Sequence, residues 1–204
     1  MLEKIVVGPI MTNCYVVFDG KQNAVVIDPG FEGERIWQYL QENKLTVLYI
    51  LLTHAHFDHV QALQFLKDKT DAPIAVHAMD APYLTQPNLL FPSYPSLCKV
   101  QPAADILLQD GEILTAGDLT IEVIFTPGHT PGGVCYRIGD DVFVGDTLFW
   151  ENIGRCDLQG GDLPQLISSI RQNLLCLPDR CKVYPGHGDL TTIGHEREYN
   201  PYLS

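Results

Sequence analysis

Thr53–His59 (THAHFDH) packs three histidines and an aspartate into seven residues, directly after the apolar run LYILL at Leu48–Leu52. The whole chain holds seven histidines, so this concentration at the end of one predicted strand needs a reason. In an extended segment, side chains two apart lie on the same side of the chain. His54 and His56 therefore present their imidazoles to one point. Asp58 continues that alternation until a helix predicted from near Val60 turns the chain. His59 follows Asp58 but points elsewhere, so it does not serve the same point as the first pair. The pattern suits two metal ions side by side, His54 and His56 on one, Asp58 and His59 on the other. A histidine-rich surface loop is the plain reading of an isolated H-x-H pair. The D-H extension on the end of an apolar strand argues against it.

Four ligands leave two ions short of a full set. Three more segments repeat one grammar, an apolar strand, a Gly or Pro-Gly turn, then a ligand-capable residue. They are IFTPGHTPGG with His129, VFVGDTLF with Asp146 and KVYPGHG with His187. Loops at strand ends are where α/β proteins usually place their chemistry. With the first motif these segments use five of the seven histidines, which chance explains poorly. Of the two left over, His77 reads as a strand-end residue with a local hydrogen bond, and His195 as a solvated side chain among charges.

Around these motifs short β-like runs alternate with helical ones. Val25–Gly30, Tyr49–Leu52, PIAVHA, LTIEVIFT, GVCYRIG, DVFVGD and a final CKVYPGHG read as strands. GERIWQYLQEN from Gly33 and VQALQFLK from Val60 read as helices. So does LPQLISSIRQNLLCL, with Asp162 as its cap and Pro164 in its first turn. Alternation of this kind argues for an α/β sandwich, and with no low-complexity linker the expectation is one domain over residues 1–204. The long irregular stretch Asn88–Asp105 reads as a lid, a pocket wall or a passive connector.

Composition narrows the partners. Thirteen basic against 25 acidic residues give a net charge of −12, and no run of Lys or Arg overrides it, so nucleic acid is not an expected partner. No apolar run approaches the ~20 residues of a membrane span. The N-terminus lacks a basic region followed by an apolar core, so a cytoplasmic chain is expected. Six cysteines without any C-x-x-C fit reduced thiols. Nothing in the sequence addresses oligomeric state.

The ordered set THAHFDH, PGHTPGG, VGDTLF and PGHG resembles the metallo-β-lactamase fold superfamily, and within it the short glyoxalase II-like (hydroxyacylglutathione hydrolase-like) enzymes. The resemblance runs from the TNCY and DPG segments to TTIGHEREYNP. It implies a four-layer αββα sandwich, each half of the chain giving a sheet, with metals at one edge. It also implies that His54, His56 and His129 hold one ion and Asp58, His59 and His187 the other, with Asp146 bridging. Asp28, before Pro-Gly, would brace the metal loop from behind. Zinc is the expected metal, and the same ligands accept iron or manganese. The implied nucleophile is a hydroxide shared by the two ions, with Asp58 handling protons.

The implied substrate is a small-molecule thioester of the S-lactoylglutathione type, whose thiol has a pKa near ~8.5 and departs as thiolate without an acid. A β-lactam nitrogen asks more of protonation, and no proposed ligand is the cysteine of the best-known zinc β-lactamases. Two departures from the glyoxalase II pattern matter. The seventeen residues after His187 hold no basic helical extension to grip glutathione carboxylates, so weaker binding is expected. ENIGRCDLQGGD also resembles the persulfide dioxygenases, which carry a similar G-R-x-D. Arg155 is the candidate contact for an anionic substrate, and Asp157 the residue that orients a ligand or Arg155. A structural ion pair between them is the other reading. The competing enzyme class is a mononuclear iron dioxygenase on His54, His129 and Asp146. A non-catalytic metal module is disfavoured, because a structural metal needs neither seven ligands nor an open position. Val60-Gln61-Ala62 lacks the glycine that many relatives place after the motif, with helix packing the expected consequence.

Overall fold

Strands β1 (Leu2–Val7), β2 (Thr12–Phe18) and β3 (Asn23–Ile27) form an antiparallel meander in the computed structural model, which describes residues 1–90 and 99–203. Helix α1 (Gly33–Glu42) crosses over to β4 (Thr46–Leu51), parallel to β3. Two short helices, α2 (Phe57–Val60) and α3 (Leu63–Thr70), lead to β5 (Ile74–His77). Helix α4 (Ala81–Thr85) and a 3-10 turn at Pro87–Leu89 precede β6 (Ile106–Leu108), which completes a six-stranded sheet in sequential order.

The second sheet contains β7 (Ile113–Ala116), β8 (Leu119–Phe125), β9 (Val134–Ile138) and β10 (Asp141–Gly145). A small hairpin of β11 (Leu148–Phe149) and β12 (Asn152–Ile153) leads to α5 (Leu163–Ser169), whose last residue runs straight into a π-helical turn at Ile170–Leu174. Strands β13 (Lys182–Pro185) and β14 (Thr191–Thr192) precede α6 (Ile193–Tyr199). The sheet order is β14-β13-β10-β9-β8-β7, with β13 parallel to β10 and the other pairs antiparallel.

The period-2 alternation of the strands explains the layers. Val25, Ile27, Leu51 and Ala75 turn to the same core as Val123, Tyr136, Phe143 and Tyr184, so this core lies between the two sheets. Their neighbours Val26, Ile50 and Val76 pack with Ile36, Leu40, Leu63 and Leu66 of the helices on the first sheet's outer face. Cys135, Val142, Val144 and Val183 pack with Leu166, Ile170, Leu174 and Ile193 on the other outer face. Three cores between four layers give the expected αββα sandwich.

Phe143 sits at the centre of the inter-sheet core at 1% exposure. It stacks on Tyr184 (5.0 Å, 18°) and meets Tyr15 edge-on across the sheets (5.2 Å, 62°). Phe143→Ala is expected to lower stability by about 3–5 kcal/mol, read as an unfolding midpoint, because the rigid sheets on either side do not collapse into the void.

Several sequence expectations need correction. The helix expected from Val60 starts at Phe57, so Asp58 and His59 are helical and only His54 and His56 belong to the extended segment. It breaks at Gln61-Ala62, where the Ala62 amide turns to Pro29 O, 3.0 Å away, and α3 resumes at Leu63. The strand at Val25–Gly30 stops at Ile27, because Asp28 adopts a left-handed φ of 52°. CKVYPGHG is not the last strand, since β14 pairs back on β13 and α6 follows. The α5 cap is as expected, with Asp162 accepting from the Gln165 amide at 3.0 Å. Of the stretch Asn88–Asp105, residues 91–98 lie outside the described residues, and with them the expectation of a lid. Among the described residues, Cys14, Cys135, Cys156, Cys176 and Cys181 are unpaired thiols, and no helix is long and apolar enough to cross a membrane.

Candidate metal centre

The candidate residues arrive from separate points in the chain, each just past the C-terminal end of a strand. Asp28 follows β3, His54–His59 follow β4, His129 follows β8, Asp146 follows β10 and His187 follows β13. They meet in two outward groups, with Asp28, His54 and His59 forming a third set of close ligand atoms behind them. Ligand atoms of His54, His56 and His129 lie within 4.8 Å of one another, and so do those of Asp58, His59 and His187. Asp146 stands between the groups. Its Oδ2 is 3.6 Å from Nε2 of His129 and 3.6 Å from Nε2 of His187, and its Oδ1 is 3.5 Å from Nε2 of His59.

Four of the imidazoles are aimed by a partner on the other nitrogen. Nδ1 of His59 meets Asp28 Oδ2 at 3.0 Å, and Nδ1 of His54 meets the Thr53 hydroxyl at 3.0 Å. That hydroxyl donates to Asp28 Oδ2 at 2.6 Å, and the Thr53 amide donates to Asp28 Oδ1 at 2.8 Å. The strained φ of Asp28 is what delivers its carboxylate to both. Nδ1 of His129 meets the Arg155 carbonyl at 2.7 Å, and Nδ1 of His187 meets the Ile10 carbonyl at 3.2 Å. These contacts leave Nε2 facing inward. Nε2 of His54, His59 and His129 and Oδ1 of Asp146 are buried and make no hydrogen bond. Buried polar atoms are rarely left so, and a cation at their meeting point is the group this donor set fits.

The electrostatics agree. Burial drives His54 and His56 well below the ordinary histidine range, and neighbouring imidazoles push the same way. Burial likewise lowers His129. For His59 and His187 burial is outweighed by Asp58 and Asp146, which raise both. Burial would lift Asp146, but the charge of His59, then His129 and His187, holds it down at about 2. Asp58 is held well below the carboxylate range by His59 and His187 against the same burial. Metal ligation requires neutral imidazoles beside ionised carboxylates. His54, His56 and His129 are already held in that form, whereas His59 and His187 carry a positive charge beside Asp58 and Asp146 that a bound cation would replace.

Both sheets also reach across to fix the loops. Tyr136 of β9 donates to Leu52 O at 2.6 Å, just before the histidine motif, and Tyr15 of β2 donates to Pro185 O at 2.7 Å, just before His187. Asn13 grips the same loop through Pro185 O (2.9 Å) and Gly188 O (3.0 Å). Thr12 donates to Asp58 Oδ2 at 3.0 Å. A side chain at Gly186 would collide with the Asp146 carboxylate and the His59 ring, which is why the turn before His187 is glycine.

The sequence profile described as "Metallo-beta-lactamase superfamily" matches residues 7–187. The chain belongs to that superfamily. Among its relatives, "Probable metallo-hydrolase YqgX" of Bacillus subtilis is 41% identical over 206 residues, covering 99% of this chain and 97% of its own. "Hydroxyacylglutathione hydrolase GloC" of Haemophilus influenzae is 38% identical over 214 residues, covering 100% and 98%. Of solved structures, the BLEG-1 B3 metallo-β-lactamase superposes at TM-score 0.95 with 42% identity over 100% of both chains. ETHE1 from Myxococcus xanthus gives TM-score 0.85 and 31% identity, covering 98% of this chain and 83% of its own. TTHA1623 in a di-iron-bound form gives 0.88 and 38%, covering 98% and 100%.

Beside the centre opens a cavity of about 750 Å³ lined by Ile10, Phe57, Phe149, Leu158, Arg155 and Asp157 among others. Arg155 and Asp157 form a two-pronged ion pair on its rim, at 2.7 and 2.8 Å, with both side chains exposed. Asp157 thus pairs with the Arg155 guanidinium, and the Arg155 carbonyl meets Nδ1 of His129. His77 accepts a local hydrogen bond from the Met79 amide (3.3 Å), as expected. His195 is half-buried and meets Glu151 at 3.0 Å, where solvent was expected.

Thr12, Asn13, Thr53 and Asp80 are functional neighbours that the motifs alone do not single out. Asp80 is fully buried after β5, and burial pushes its carboxyl up to about 6. Its segment, PIAVHAMD, is an apolar strand followed by a carboxylate, but it lacks the Gly or Pro-Gly turn that marks the other segments.

Proposed function

We propose that this chain is a dinuclear metal-dependent hydrolase of small-molecule thioesters of the S-lactoylglutathione type. The observation that carries it is Asp146, placed within 3.6 Å of histidine nitrogens from both ligand groups. On this reading His54, His56 and His129 hold one ion, Asp58, His59 and His187 the other, and Asp146 joins them. Two divalent ions so placed supply an activated water and a Lewis acid for the substrate carbonyl. Asp58, fixed by Thr12, is the carboxylate placed to handle a proton, and the apolar wall of Ile10, Phe57, Phe149 and Leu158 receives the substrate and excludes water. A thioester asks for nothing more, because its thiol departs as thiolate. GloC supports this substrate class by likeness, and di-iron TTHA1623 supports a pair of ions while leaving zinc, iron and manganese open.

The likeness to BLEG-1 favours β-lactam hydrolysis as a second reading, and the G-R-x-D segment shared with persulfide dioxygenases favours a single iron on His54, His129 and Asp146. Metal analysis of protein purified without added metal separates these readings when paired with three assays. The assays are S-lactoylglutathione hydrolysis, hydrolysis of a chromogenic cephalosporin, and oxygen uptake with glutathione persulfide. The expected result is close to two ions per chain and thioester hydrolysis abolished by chelation. One ion in fully active protein, or turnover of only the cephalosporin or the persulfide, overturns the proposal.

Arg155 is the rim cation for a substrate carboxylate. Arg155→Ala is expected to raise KM for S-lactoylglutathione by about three- to tenfold with kcat little changed, a modest effect because the guanidinium is exposed and already paired. An unchanged KM leaves Arg155 with the structural role of its pair with Asp157.

A further inference from the structure

Asp80 is no part of the proposed ligand set, yet it lies directly behind it. The residue stands between β5 and α4 with its side chain fully buried. Its Oδ2 accepts from the Ala55 amide at 3.0 Å, and its Oδ1 accepts from the Gly132 amide at 2.6 Å. Ala55 is the residue between His54 and His56, and Gly132 lies three beyond His129. One carboxylate therefore ties the loop carrying two histidines of the first group to the loop carrying the third. The two loops come from different sheets. The Val134 amide donates to Thr53 O at 2.9 Å and Tyr136 donates to Leu52 O at 2.6 Å at their bases, and Asp80 makes the tie next to the histidines themselves. Gly132 is glycine for this contact, since a side chain there would run into Asp80 itself.

The arrangement is costly without a purpose beyond packing. A carboxylate taken out of water loses several kcal/mol of solvation, and two amide hydrogen bonds restore only part of it. Among the described residues no cationic side chain is among the groups acting on it, and its hydrogen bonds come from the two backbone amides. A cation on the far side of the same loop is the natural counter-charge.

We propose that Asp80 is a positioning residue for the ion held by His54, His56 and His129, setting the distance between the two loops that carry them. This rests on the metal assignment made above. Partners behind metal ligands typically change affinity about 10- to 100-fold when removed. Asp80→Asn keeps the shape but puts an amide N–H against a backbone N–H, so one of the two ties fails.

The test compares unfolding midpoints of metal-stripped and zinc-reloaded protein, zinc affinity by competition with a chromophoric chelator, and the visible spectrum of the Co²⁺-substituted form. The control is Asp19→Asn. Asp19 is another buried carboxylate, and it accepts the Lys21, Asn23 and Asp118 amides away from the centre. Asp19→Asn should lower both midpoints equally and leave affinity unchanged. Asp80→Asn should cut the zinc-induced rise in midpoint to half or less, weaken one zinc-binding step by about tenfold or more, and alter the cobalt spectrum. Full zinc-induced stabilisation and unchanged affinity in Asp80→Asn overturn the proposal, however low the metal-free midpoint. If Asp80→Asn does not fold, Gly132→Ala perturbs the same contact and is measured in the same three ways. Weakened zinc binding in that variant supports the positioning role, and unchanged binding overturns it. An unsubstituted protein that gains no stability from zinc, cobalt, iron or manganese overturns the metal assignment instead.

Discussion

Asp146→Asn is expected to lower thioester hydrolysis by about 10³ or more while leaving the fold intact. The side chain is isosteric, and its surroundings, from Gly186 to the ring of His59, already fit that shape. What changes is charge. Asp146 carries its negative charge between the two groups, with Oδ1 toward His59 and Oδ2 toward both His129 and His187. A neutral amide removes the one group that both proposed ions share, and it turns an NH₂ toward at least one of them. Removing a single preorganised electrostatic contributor costs about 10²–10³ in rate, and here two ions lose theirs at once. Bound metal should fall below two per chain, and the unfolding midpoint of the metal-free form should drop somewhat, because the carboxylate, held down at about 2 by His59, His129 and His187, stabilises the fold as the anion. A variant that keeps two ions and more than a tenth of the rate sinks the bridging role.

The candidate ligand positions are legible in the sequence because their chemistry is confined to few residue types and each stands past an apolar strand. Their pairing into two groups is legible from spacing and resemblance. The reason for the separation is not. Strand alternation puts Asp58 on an extended segment, whereas it sits in the first turn of α2. That helix begins at Phe57 with His56 in the cap position and no side-chain cap, so no Ser, Thr, Asp or Asn announces it. The α6 start does carry a readable signal, Thr192 capping the His195 amide at 3.2 Å, but a seven-residue helix containing Gly194 gives little periodicity to find. The bracing groups are hidden for a different reason. Tyr15, Tyr136 and Asn13 act on backbone carbonyls 84 to 175 residues away, and a carbonyl has no letter in the sequence. Asp28 is visible only through resemblance, and its left-handed backbone has no glycine or asparagine to mark it.

His187→Ala separates the two main enzyme classes. The side chain is half-buried, with Nε2 3.1 Å from Asp58 Oδ2, and its loop is held independently by Asn13 and Tyr15, so its loss should not disturb the sheets. In the dinuclear hydrolase His187 belongs to the second ion. That ion should then be lost or displaced while the ion on His54, His56 and His129 stays. Thioester hydrolysis should fall by about 10² or more, the scale of one key electrostatic contributor. In the dioxygenase the iron sits on His54, His129 and Asp146, and His187 is only a neighbour. Metal content would then stay at one and most oxygen uptake would survive. The matching substitution is His129→Ala, which removes a ligand of the first ion in either scheme and should cripple both activities. The hydrolase predicts that His187→Ala loses one ion and the thioesterase activity together. Protein that keeps both would show that the group formed by Asp58, His59 and His187 does not hold the second metal.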